Sequence, residues 1–108
     1  MARANSASLL QKQLYEEQMT FTNKQMEAYN NLIQLHYTLL SQQVAEANKA
    51  SDPSIIDTHN LLATHSALNE QIGRYRVLDM ESAEEYVQLL DMLREVESVL
   101  DGGKLKVE

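Results

Sequence analysis

Residues 8–50 read SLLQKQLYEEQMTFTNKQMEAYNNLIQLHYTLLSQQVAEANKA, with no glycine and no proline anywhere in the stretch. Leu, Gln, Glu, Met and Ala dominate it, and these residues lose little rotamer freedom on entering a helix. The stretch predicts one long helix of roughly 65 Å at 1.5 Å per residue. Two registers of three-and-four spacing run along it. One is Leu14, Gln18, Phe21, Gln25, Ala28, Leu32, Leu35, Leu39; the other is Tyr15, Met19, Thr22, Met26, Tyr29, Ile33, His36, Leu40, Val44. At about 100° per residue these stripes are neighbours, so the combined apolar face is wider than one partner helix covers. Thr22-Asn23-Lys24-Gln25 fits a capping box and is where such a helix would break.

Working outward, Ser51-Asp52-Pro53-Ser54 sets a capping side chain directly before a proline, which is best tolerated in the first helical turn. A second helix is expected from about residue 53 to 78, with Leu61, His65, Leu68, Ile72 and Tyr75 on one face. Gly73 inside it costs about 1 kcal/mol relative to alanine. Ser82-Ala83-Glu84-Glu85 is a further capping box, followed by Tyr86, Leu89, Leu93, Val96 and Leu100. It opens a third helix over about 83–100, or continues the second. Asp101-Gly102-Gly103 closes it. No alternating strand pattern competes. The expected fold is all-α: a long antiparallel helical hairpin or a three-helix bundle with coiled-coil-like packing. It forms a single domain over 7–101 between a disordered N-terminus (1–6) and a flexible tail (102–108).

Composition narrows the function. The 108 residues, 44% apolar and 23% charged, suffice for one small domain. The 16 acids outnumber 9 bases, a net charge of −7, whereas a phosphate backbone selects for Lys and Arg. Nucleic acid is therefore not an expected partner. No basic cluster suits an anionic lipid surface, and apolar runs of at most three residues argue against membrane insertion. Arg3 is not followed by the apolar core of a signal peptide, so a cytoplasmic or nuclear location is expected. The absence of cysteine excludes disulfides, thiolate metal sites and thiol nucleophiles.

The motifs of catalysis are missing. There is no phosphate-binding glycine loop, no Glu-x-x-His pair of a di-iron bundle and no His-Glu-x-x-His. The chain is expected not to be an enzyme and to need no cofactor. If the hairpin folds between Ser51 and Asp52, residue i faces residue 103 − i, which brings His36 and His65 within a turn of each other. Such a pair suggests a metal- or ligand-binding bundle as an alternative; two ligands without a third make a weak site, and hydrogen-bonded core histidines are the simpler reading.

Two surfaces suggest partners instead. Glu81, Glu84, Glu85, Asp91 and Glu95 crowd the end of the chain and form either a solvated acidic face or a dock for a basic protein. The first half, up to Ser51, is neutral, and its polar positions are mostly amides, which are less costly to bury than charges. Tyr15, Met19, Phe21, Met26, Tyr29 and Ile33 in that half are the expected partner-binding residues, against the alternative that they are simply core. The expected function is a non-catalytic subunit or adaptor for protein–protein interaction, binding a protein partner or forming a homo-oligomer.

Local echoes of known families carry no function over. The size and helical hairpin are similar to the small secreted proteins of the WXG type, but the chain has no tryptophan. Asp52-Pro53 and Ala83-Glu84-Glu85-Tyr86 resemble tubulin-binding cofactor A at a different separation. Ser6 to Leu14 resembles the first helix of some ubiquitin-conjugating enzymes, with no cysteine to follow. A small secreted or virion-associated helical protein is the remaining alternative.

Overall fold

The computed structural model describes residues 2–102, with side chains described from 7 to 101. It contains three α-helices and, among the described residues, no strand: α1 (Ala2–Ala50), α2 (Thr58–Val77) and α3 (Glu84–Gly102). At 1.5 Å per residue the 49 residues of α1 make a rod of about 73 Å. The molecule measures 73 × 18 × 18 Å, so α1 alone sets its length. Its radius of gyration, 19.6 Å, is well above the roughly 13 Å of a compact chain of this size. None of the helices is long and apolar enough to cross a membrane, among the described residues.

Helix α1 runs through Thr22 without interruption, so the capping-box reading there fails; continuous stripes of helix formers on both sides outweigh one local capping option. It also starts at Ala2, ahead of Ser8. Against the expectation of disorder over 1–6, residues 2–6 contain no breaker and belong to the helix. Of the expected flexible tail (102–108), Gly102 is instead the last residue of α3, and 103–108, like Met1, lie outside the described residues.

The chain reverses where the sequence indicates, by a mechanism the sequence did not reveal. Ser51 adopts a left-handed conformation (φ 53°), Asp52 N–H donates to Ala47 O at 2.9 Å and Ser51 N–H to Asn48 O at 3.3 Å. This is a Schellman closure built without glycine. Pro53 then opens a single 3-10 turn, Pro53–Ile55, rather than α2 itself. Ile56 goes extended to pack against the core, and Asp57 caps α2, accepting from His59 N–H at 3.0 Å and Asn60 N–H at 3.2 Å. Asp52 caps the 3-10 turn, accepting from the Ser54 hydroxyl and N–H. Those bonds, the hydroxyl first, hold its carboxyl below the ordinary carboxylate pKa.

Helices α2 and α3 are separate elements. Asp79 takes φ 54°, and Met80 N–H donates to Tyr75 O at 2.8 Å, a second Schellman closure. The hairpin is clamped by Tyr75 against Tyr86, ring centroids 6.0 Å apart, and by Arg76 Nε donating to the Tyr86 hydroxyl at 3.0 Å. The core gathers one stripe from each helix: Met26, Ile33 and Leu40 from α1, Leu61, Leu68, Ile72 and Tyr75 from α2, and Tyr86, Leu89 and Val96 from α3. Register between α1 and α2 is held by Gln71, which is fully buried. Its amide donates to Met26 O at 3.2 Å and Asn30 Oδ1 at 2.9 Å, accepts from Arg74 at 2.9 Å, and Asn30 donates on to the Tyr75 hydroxyl at 2.7 Å. A buried amide with its bonds met on both sides fits only one axial offset of the two helices.

Candidate functional site: the outer stripe of α1

The two registers of α1 part company in the structure. Met26, Ile33, Leu40 and Ala47, spaced by seven, turn inward and are buried, with Tyr37 and Val44 beside them. The other register points away. Leu14, Phe21, Leu32, Leu35 and Leu39 are between 47% and 70% exposed, and Gln18, Gln25 and Ala28 complete the same line in solvent. At 100° per residue its centre lies about 130° around the helix from the buried stripe. The stripe keeps an unbroken four-three alternation from Leu14 to Leu39 and carries no charged side chain.

The N-terminal part of α1 is bare on every face. Residues 7–18 are all exposed, and the first half-buried side chains are Met19 and Thr22. The far end of α2 reaches α1 there, in a groove lined by Thr22, Gln25, Met26, Gly73, Val77 and Leu78. From Ala2 to Gln18 about 25 Å of helix therefore projects beyond the bundle. Leu9, Leu10, Leu14 and Tyr15 stand in solvent along it.

The expected partner-binding residues divide on this geometry. Tyr15 and Phe21 are 64% exposed and free to meet another molecule. Met26 and Ile33, at 5% and 4%, are corrected to core. Met19 is half-buried, and Tyr29 is partly covered by the Arg74 guanidinium, 4.4 Å above its ring. Leu32, Leu35 and Leu39 belong to the exposed stripe but were not singled out as partner residues. The signal was the unbroken alternation of leucine with amide in that register; equal apolarity of the two registers hid which one would be left outside.

Glu81, Glu84, Glu85, Asp91 and Glu95 are all exposed. Glu84, Asp91 and Glu95 share one face of α3, where Asp91 pairs with Arg94 at 3.5 Å, and Glu85 flanks it. Glu95 accepts a hydrogen bond from the Tyr37 hydroxyl across the α1–α3 seam. Burial first, and then the Glu95 hydrogen bond and charge, push the Tyr37 pKa up from 10.0 to about 12. Farther along that seam a groove of about 480 Å³ is lined by Asn23, Asn30, Gln34, Met80, Gln88 and Met92 among others. The carboxylates of Glu27 and Glu85 and the Tyr75 side chain also line it.

The histidines are not brought together as a site. His36 Nδ1 lies 3.2 Å from Asn60 Oδ1 in the α1–α2 seam. His65 Nε2 lies 3.2 Å from Glu97 Oε2 in the α2–α3 seam. The hairpin register is close to the expected one, but α3, by drawing His65 to itself, sends the two rings into different seams. Among the described residues no group of three or more His, Cys, Asp or Glu is arranged to hold a metal ion. Comparison of the chain with family models, with characterised proteins and with solved structures finds no match.

Proposed function

We propose that this protein is a non-catalytic interaction subunit that docks into an assembly through the outer stripe of α1, including its projecting N-terminal part, in the cytoplasm or nucleus. The supporting observation is the exposed line of Leu14, Phe21, Leu32, Leu35 and Leu39 on a helix whose opposite face is already packed. Helices draw most of their stability in proteins from a packed face, and a single helix of the length of 2–18 is marginal in water by itself. A projecting rod with that much apolar surface is consistent with a partner lying against it. The acidic stripe of α3, on another side of the bundle, keeps the free particle soluble and disfavours acidic partners.

The test is site-specific photo-crosslinking in the native host. A reactive side chain at Phe21 or at Leu35 is expected to yield discrete protein adducts, and one at Asp91 is not. In the same setting Phe21→Asp is expected to weaken assembly far more than Asp91→Lys. Absence of adducts at Phe21 and Leu35, with equal and negligible effects of the two substitutions, overturns the proposal.

A further inference from the structure

The interaction reading above leaves the occupant of the outer stripe unnamed, and the following rests on it. We infer that the occupant is a second copy of this chain, lying parallel and in register along the outer stripe of α1 so that the two bundles sit back to back.

Three observations converge on a like partner. The first is area. The chain exposes 7919 Å², about 1,800 Å² more than the roughly 6,100 Å² expected of a compact chain of its mass. A stable interface of standard size covers about 800 Å² on each partner, and the excess surface of this elongated chain is larger than that. The second is charge. Helix α1 carries Arg3, Lys12, Lys24 and Lys49 against Glu16, Glu17, Glu27 and Glu46, a net of zero, so the whole −7 resides in the remainder of the chain. Pairing through α1 brings neutral faces together. It leaves the two acidic α3 helices on opposite sides, about 20 Å apart or more across two helix diameters, beyond a Debye length of about 8 Å. A basic partner, by contrast, would be drawn to α3 and would leave the stripe bare.

The third observation is the pattern, which also sets the direction. In the four-three alternation Leu14, Phe21, Ala28 and Leu35 occupy one core position of a heptad, while Gln18 and Gln25 occupy the other, joined later by Leu32 and Leu39. Two parallel copies in register pair every leucine with leucine and every glutamine with glutamine, and buried amides can bond across the seam. An antiparallel copy that sets Leu14 against Leu39 puts Gln18 against Leu35 and leaves the amide facing an apolar side chain. Polar residues at such core positions specify register and partner number in just this way. The flanking positions oppose Glu17 to Thr22 and Lys24 to Tyr29, so no like charges meet.

The full-length chain in sedimentation equilibrium is expected to have twice its 12.3 kDa mass. Leu35→Asp, at a side chain the monomer leaves 70% exposed, is expected to weaken self-association at least tenfold while the near-ultraviolet signal of the Tyr75–Tyr86 pair persists. Since the chain has no cysteine, a single introduced thiol reports contact without interference. Gln18→Cys is expected to give disulfide-linked dimers on mild oxidation, and Glu16→Cys, on another face of the helix, is not. A single-chain mass at 100-fold above micromolar concentration, a mass of three or more copies, or equal crosslinking of the two cysteine variants overturns the inference. The photo-crosslinks separate the two readings: adducts with this same chain support both, adducts only with other proteins overturn the second copy and keep the docking stripe, and no adducts overturn both.

Discussion

Helix α1 is one continuous element with two very different environments. From about Met19 to Ala50 it lies against α2 and α3 and buries Met26, Ile33, Leu40 and Ala47. Residues 7–18 are exposed on every side, although their composition of leucine, amide and occasional charge is the same. Helical propensity is therefore shared by both parts, and tertiary cover is what distinguishes them. The same contrast recurs around the helix, where one stripe is core and its neighbour is open. Local sequence makes the rod, and packing decides which side is buried and which stays exposed.

Truncating one core side chain and one side chain of the outer stripe should break or sharpen this contrast most. Leu68 of α2 is fully buried in the core, and Leu68→Ala is expected to cost about 2–5 kcal/mol in urea unfolding. Leu35→Ala, measured at dilutions where the chain is alone, is expected to stay within about 0.5 kcal/mol. A comparable loss at Leu35 under those conditions would mean the outer stripe is already covered within one protomer.

A smaller effect, of opposite sign, is expected at Gly73. A Cβ built there meets no atom within 4 Å, and the residue sits in mid-helix. Gly73→Ala should therefore stabilise the bundled half by about 1 kcal/mol, read as a higher denaturation midpoint with unchanged slope. A loss instead would show that the groove between α2 and Thr22 closes in solution.

The smallest expected effect is confined to alkaline pH. Because the folded Tyr37 pKa is raised from 10.0 to about 12, the unfolded chain loses this proton first. Its contribution is complete below pH 10 and is lost as pH climbs from 10 through 12. Tyr37→Phe should flatten that part of the decline relative to the parent chain. Identical pH profiles would show that the Tyr37–Glu95 contact between α1 and α3 does not form in solution.

Much of the architecture was legible in order. The glycine- and proline-free run announced α1, Pro53 marked the reversal, and the periodicities of Leu61 to Tyr75 and Tyr86 to Leu100 announced α2 and α3. Less legible were the joints. Asp57 rather than Asp52 caps α2, since Ile56 runs extended against the core and the helix begins only after it. Ser51 and Asp79 supply left-handed closures that glycine usually provides, a role no spacing rule discloses at those residue types. His36 and His65 were placed nearly opposite by simple folding about residue 51, but a third helix packing on α2 redirected His65 toward Glu97.

The candidate site was half legible. The chain by itself determined that α1 would carry two adjoining apolar registers, neutral and rich in amides, since side-chain period and composition are local properties of a helix. Only the tertiary structure decided that Met26 and Ile33 go inward while Phe21 and Leu35 stay out. That choice depends on how Gln71, Asn30 and Tyr75 lock α2 at one offset and one azimuth on α1, a contact between residues more than 40 positions apart that no local pattern encodes.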